Sequence, residues 1–206
     1  MDLSYNSLHK GLEFKRREGL SNVGLVQMNL FASCLRSEVF DYVFCNGVLH
    51  HTADAFGGFR DLCRVLKPGG FIVIGLYNTY GRLFLDLRRL IFRLTGGRMT
   101  CLDYFMRRRS LGDQKKRIWF LDQYRNPHET KFSVRDVLAW FSQCGIEYVN
   151  SVPQINPGAA GDGPLFASRP VGRPADHLMA QLGWIFTEGR EGGFFIIIGR
   201  KSEGKQ

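Results

Sequence analysis

The sequence predicts an α/β fold built on a mainly parallel sheet, with an antiparallel strand near the C-terminus. Three observations carry that prediction. FDYVFCN (40–46) and FIVIGLY (71–77) are rich in aromatic and β-branched residues, as buried strands are. Between them Ala55, Phe56, Phe59, Leu62, Cys63 and Leu66 recur with the 3.6-residue period of a helix. Strand, helix and strand at this spacing make a βαβ unit with a right-handed crossover, hence a parallel pair.

The other elements follow in chain order. NVGLVQMNL (22–30) reads as a short buried strand of the same sheet. Thr52 or Asp54 caps the periodic helix, and Lys67-Pro68-Gly69-Gly70 ends it in a turn. Beyond residue 77, Leu83, Phe84, Leu87, Leu90, Ile91 and Leu94 share one helical face, while Arg82, Asp86, Arg89 and Arg93 take the opposite one. This is the pattern of a basic amphipathic helix with packed leucines and solvated arginines. Residues 96–130 continue as a helical insertion with loops. Ser133 and Asp136 resemble a capping box, with Asp in place of Glu or Gln, and open a helix that Gly145 closes. Ile146–Ile155 is a strand, 156–173 is a loop rich in Gly and Pro, and a helix follows near 175–187. FFIIIGRK (194–201) is the last strand, paired as a hairpin with 146–155.

Composition bounds the rest. With 206 residues, 44% of them hydrophobic, the chain can bury a core without disulfide staples or a structural metal, which is the profile of one domain spanning 1–206. No apolar run reaches the 18 residues of a membrane span, and the first residues lack the charge and apolar pattern of a secretory signal. Five cysteines, an odd number with no C-x-x-C pair, fit a reducing, cytoplasmic setting and no zinc cage. The charge is local. From Arg82 to Arg117 stand 11 Lys/Arg against 3 Asp, a net of +8 out of the chain's +9.

Two phrases, FDYVFCNGVLHHT (40–52) and RVLKPGGFIVIG (64–75), together resemble the class I S-adenosylmethionine-dependent methyltransferases, in particular their small-molecule branch. The resemblance is close over about residues 2–78 and looser over 131–155 and 191–201. It implies a Rossmann-like three-layer sandwich whose cofactor, S-adenosylmethionine, lies outside the carboxyl ends of the strands. Asn46, Gly47 and Val48 stand at such an end, where a backbone carbonyl can receive the methionine ammonium and glycine permits close approach. Asp2 matches the acidic residue that binds the ribose hydroxyls. Asn29 falls where the family often places an Asp facing the adenine amino group; a turn role at a strand end accounts for it equally well.

The family's glycine-rich loop after the first strand has no counterpart among the glycine clusters of this sequence. The domain therefore reads as incomplete at its N-terminus, like a fragment, which predicts weak cofactor binding and an exposed sheet edge. Residues 78–130 read as a helical lid inserted after the fifth strand of the family's order. Methyl transfer asks chiefly for alignment of the acceptor, with a base only where a proton must leave. His51 and His128 are the candidate catalytic residues, with His50 and Tyr77 near the same mouth. Shaping the pocket or capping the next helix is the competing role for the paired histidines. His9 and His177 fall on helical patterns, and no residue spacing suggests a metal.

Methyl transfer to a small, anionic or lipid-like acceptor is the expected activity. The alternative is a non-catalytic basic module derived from such an enzyme. The helix across 80–95 has two readings, a packing lid or a contact for an anionic acceptor or membrane surface. Nucleic acid is the weakest reading, because aromatics are not interleaved with the arginines.

Overall fold

The computed structural model describes residues 1–96, 103–107, 112–125, 129–159, 163–187 and 193–204. Its centre is a four-stranded sheet. In chain order the strands are β1 (Phe40–Asn46), β2 (Leu66–Tyr77), β3 (Ile146–Val152) and β4 (Phe194–Lys201), and in space the order is β1-β2-β4-β3. β1 and β2 are parallel, with Val43 opposite Ile72 and Asn46 opposite Gly75. β4 runs antiparallel to both β2 and β3. The parallel pair and the C-terminal hairpin thus stand where the sequence puts them.

Alternation along the strands sorts the core. Val43, Cys45, Ile72, Ile74, Leu76, Phe195 and Ile197 point to one face, where they meet Phe59, Leu62 and Phe141. Val73, Val149 and Ile198 form a smaller cluster on the other face. There a loop lies over the sheet: Arg169 donates its backbone N–H to Val149, and Phe166 packs edge-on against Tyr42 and Phe71.

The helices are α1 (Tyr5–Arg17), α2 (Ala55–Val65), α3 (Leu83–Leu94), α4 (Tyr104–Arg107), α5 (Asp113–Arg125), α6 (Val134–Gln143) and α7 (Pro174–Thr187). Asp54, rather than Thr52, caps α2 by accepting from the Gly57 N–H at 2.8 Å. At the other end of α2, Lys201 donates to the carbonyls of Cys63 and Leu66, which the helix terminus leaves without intrahelical partners. The capping box of α6 is present in full, with Ser133 and Asp136 each serving the other's backbone. Phe59 joins α2 to α6 through Trp140 and Phe141, each at 5.7 Å between ring centroids. Removing that buried ring would cost about 3–5 kcal/mol.

Two expectations are corrected. Residues 22–30 form no strand of the sheet. Gln27 makes a single parallel bridge to Asp2, whose backbone N–H donates to the Val26 carbonyl and whose carbonyl accepts from the Met28 N–H. The apolar run was a true signal for extended chain, but it carries no information about the partner. One of the three strand pairings is accordingly parallel, β1 is an edge strand, and Tyr42 and Phe44 on it are exposed.

The second correction concerns α3, which is present but turned over. Its inward face is Arg82, Leu85, Arg89 and Phe92, while Leu83, Leu87, Leu90 and Leu94 face solvent. Periodicity defines the two faces of a helix, but which one is buried depends on partners distant in sequence. Here the partner is Glu129, which draws both arginines inward.

Candidate functional site

β1 and β2 end together, and the chain that leaves β1 turns at once. Gly47 adopts φ 77°, in the left-handed region that side chains disfavour, and donates its N–H to Gly75 across the parallel pair. The turn delivers Leu49, His50 and His51 in a single 3-10 turn that anchors on the fully buried Leu49.

A cleft of about 430 Å³ opens beside this end of β1. Asp2, Asn29, Asn46 and Val48, four of the five residues predicted to bind cofactor, line it, and Gly47 lies between the last two. Its apolar walls include Phe31, Phe44 and Leu62. Asp2 is held in place by the bridge to Gln27, so its position does not depend on the chain end alone. One of its carboxylate oxygens accepts the Ser4 N–H at 2.8 Å. Asn29 uses its amide oxygen to accept the Phe31 N–H at 3.0 Å, the turn role that the sequence left open, which leaves its NH₂ group for other partners.

The histidine pair lies on the inner side of the same strand ends. His50 is 1% exposed and packs against Tyr77, the last residue of β2, at 4.0 Å between ring centroids with the rings tilted by 36°. Among the described residues neither ring nitrogen of His50 has a hydrogen-bond partner. Burial, with smaller contributions from His51 and Arg82, pushes its pKa down to about 3 against the opposing charge of Glu129. His50 is thus a neutral imidazole at physiological pH, and its backbone carbonyl accepts the N–H of Thr130. His51 is half-buried, edge-on to His50 at 4.2 Å. His128, the other candidate, lies outside the described residues.

Behind the histidines is a polar cluster that sequence reasoning missed. The Arg82 guanidinium lies 3.6 Å from the centroid of the Tyr77 ring and is 0% exposed. It donates to Glu129 at 2.6 Å and to the side-chain oxygen of Gln123 at 3.1 Å. Arg89 grips the same carboxylate with two nitrogens, each at 2.8 Å. Gln123 also reaches the Tyr77 hydroxyl at 3.3 Å. Burial acts to raise the pKa of Glu129, but the bonds and charges of Arg89 and Arg82 together outweigh it and hold the carboxyl below its ordinary range. A second buried carboxylate, Asp103, accepts from Tyr124 and from the Trp119 indole, and braces α5 against α4. No spacing pointed to the cluster, since Glu129 lies 12 residues beyond the basic segment that ends at Arg117.

The end of β2 is tied down as well. Asn78 bridges to Phe132 and donates to Gln181 at 2.9 Å, which also accepts from the first amide of α6. Gly193 passes so close to Gly81 that a Cβ on it would lie 2.5 Å from the Gly81 carbonyl carbon. These contacts fix Tyr77 and Arg82 relative to the histidine turn. Among the described residues no group of His, Cys, Asp and Glu could hold a metal ion.

Comparison with known proteins agrees with this geometry. Residues 1–74 match the methyltransferase domain family. A demethylmenaquinone methyltransferase from Shouchella clausii is 36% identical over 73 residues, 35% of this chain and 31% of that protein. An uncharacterised Synechococcus protein is 26% identical over 174 residues, 72% of this chain and 41% of its own length. The chain therefore spans well under half of these curated relatives. Among solved structures, PKMT2 from Rickettsia typhi in complex with AdoHcy superposes with a TM-score of 0.58 at 16% identity, over 100% of this chain and 44% of that one. Residues 1–74 are thus similar to the methyltransferase domain family, and the chain shares the fold of that solved structure.

Proposed function

We propose that this chain transfers the methyl group of S-adenosylmethionine to an acceptor presented at the His51 side of the strand ends. One observation carries the reading: Asp2, Asn29, Asn46 and Val48, drawn from three separate segments, converge on one cleft. The donor set fits the cofactor. A carboxylate suits the ribose hydroxyls, the Asn29 amide suits a base edge, and Phe31 with Leu62 supplies apolar walls for the adenine ring. Bound there, the sulfonium supplies the electrophilic methyl. The protein's own work is positioning.

The Arg82–Glu129–Arg89 cluster holds Tyr77, and Tyr77 supports His50 from beneath, so the histidine turn is a rigid wall. His50, neutral and buried, lines that wall; His51, half-exposed, is the residue placed to take a proton from an acceptor that must lose one. The relatives' names include a demethylmenaquinone methyltransferase, which favours an apolar acceptor.

The test is calorimetric titration with S-adenosylmethionine of the wild-type chain and of Asp2→Ala. Saturable binding that weakens about tenfold in the variant, for the loss of a charged hydrogen-bonding partner of about 1.5 kcal/mol, supports the reading. No binding by either chain leaves it a methyltransferase fold without cofactor, and overturns the proposal.

A further inference from the structure

We infer that α3 and α7 form a docking surface for an anionic lipid bilayer. The inversion of α3 is the starting point. Its leucines at 83, 87, 90 and 94 follow the i, i+4, i+7, i+11 spacing of one stripe, and all are at least 50% exposed. α7 presents a second stripe, Leu178, Met179, Leu182 and Phe186, with Phe186 75% exposed. The two meet where the rings of Phe84 and Phe186 stand 6.2 Å apart. Eight large apolar side chains on two adjoining helices exceed the scattered surface apolarity of ordinary domains.

The charges around this surface select its occupant. Arg82 and Arg89 are committed inward to Glu129, and Arg88 lies within 3.9 Å of Asp103. Arg93 on α3, Arg107 on α4, and Lys115 and Arg117 on α5 are exposed and take part in no ion pair among the described residues. An apolar stripe whose own helix carries the exposed Arg93, in a segment of net charge +8, matches the chemistry of a membrane interface, with acyl chains beneath and anionic headgroups around. A second copy of this chain would bring the same net charge of +9 to the surface, where an anionic headgroup brings the opposite sign. No helix among the described residues is long and apolar enough to cross a membrane, so the surface lies on the bilayer rather than in it. The inward ion pairs keep it there: turning the leucines inward would strand Glu129 without its partners.

Co-sedimentation with lipid vesicles tests this. Phosphatidylcholine vesicles containing about a quarter phosphatidylglycerol should carry the protein down at low salt and release part of it at high salt, whereas pure phosphatidylcholine should bind weakly. Leu87→Glu combined with Leu90→Glu should reduce binding at least tenfold, because two charged side chains replace two that the bilayer would bury. Both sites are exposed, so the fold should survive, and an unchanged thermal transition verifies that. Arg93→Gln with Lys115→Gln and Arg117→Gln should remove the salt-sensitive part alone. Absence of binding, or equal binding by the leucine variant, overturns the inference. So does a stable dimer in light scattering that the leucine variant dissociates, since a second copy would then be the occupant.

Discussion

Arg82 and Glu129 meet at 2.6 Å although 47 residues separate them, and both side chains are almost wholly removed from solvent. A lone charge at that depth is costly, so each residue depends on the other. Arg89 completes the set by holding both carboxylate oxygens. The cluster closes the segment between Asn78 and Phe132 against the end of β2, and Tyr77 is sandwiched between Arg82 and His50 as a result.

Glu129→Gln should therefore destabilise the fold strongly, by about 3–5 kcal/mol, because two guanidinium groups lose their counter-charge, one of them fully buried. Replacing all three residues together by apolar side chains of similar volume should cost much less than Glu129→Gln alone. Urea unfolding followed by far-ultraviolet circular dichroism measures both. Equal losses would mean that the cluster acts through shape rather than charge.

His50 predicts a pH dependence with a defined sign. Its folded pKa of about 3 lies below the ordinary value near 6.5, so the unfolded chain binds more protons across that interval. Stability is thus complete above about pH 6.5 and falls as pH drops toward 3, by at most about 1.4 kcal/mol per pH unit. Glu129, whose pKa is also depressed, begins to matter only below its ordinary value of 4.5. Between pH 6.5 and 5 the loss belongs mainly to His50. His50→Phe, which keeps an aromatic ring on Tyr77, should flatten the stability profile in that window. A variant with the wild-type slope would show that the imidazole is hydrated in solution.

Much of the framework was legible from residues that act locally. Phe40–Asn46 and Phe194–Lys201 announced themselves by composition, Asp54 and Ser133 by capping chemistry, and the Ala55–Val65 helix by its period. What failed was long-range. The run at 22–30 gave no sign that Gln27 would pair with Asp2 and leave β1 as an edge. The two faces of α3 were separated correctly and assigned backwards, because the deciding residue, Glu129, lies 40 positions from Arg89. The turn at Asn46–Val48 was readable because it directly follows a strand, and Asn46 and Val48 line one cleft with Asp2 and Asn29. The polar cluster was not, because its members share no spacing.

Two glycines should respond differently to the same substitution. Gly47→Ala keeps open space around the new methyl and pays only for its positive φ, about 1 kcal/mol. Gly193→Ala faces the same conformational cost and in addition forces backbone apart, since its Cβ would fall 2.5–2.8 Å from atoms of Gly81 and Arg82. The second variant should lose several times as much stability and shift Arg82 with it. Thermal melts of the two variants side by side decide the matter.

The exposed edge of the sheet gives a further expectation. Among the described residues no strand pairs with β1 on its outer side, and Tyr42 and Phe44 on it are 54% and 62% exposed. Such an edge templates pairing with other chains. Tyr42→Lys should raise the concentration at which the protein stays monodisperse in light scattering, while lowering the melting temperature modestly through the lost ring contacts with Phe71 and Phe166. Phe44 is the less useful site for this test, as it also walls the cleft.

The lining of that cleft sets a limit on what it recognises. Asp2, Asn29, Phe31 and Leu62 offer a carboxylate, an amide and apolar walls, which address a nucleoside. Toward an amino-acid moiety the described residues offer the end of β1 at Asn46–Val48, and no glycine-rich loop among them lines the site. Most of the binding free energy should then come from the adenosine half. Adenosine and S-adenosylmethionine are expected to bind this chain within about tenfold of each other, a difference of no more than about 1.4 kcal/mol. Competition between the two ligands in a calorimetric titration supplies the number. On the proposed assignment of Asp2 to the ribose, Asp2→Ala should weaken both equally, whereas Gly47→Ala should weaken the methionine-bearing ligand more. A preference for S-adenosylmethionine above a hundredfold would show that this chain grips the amino-acid half through residues other than those at the end of β1.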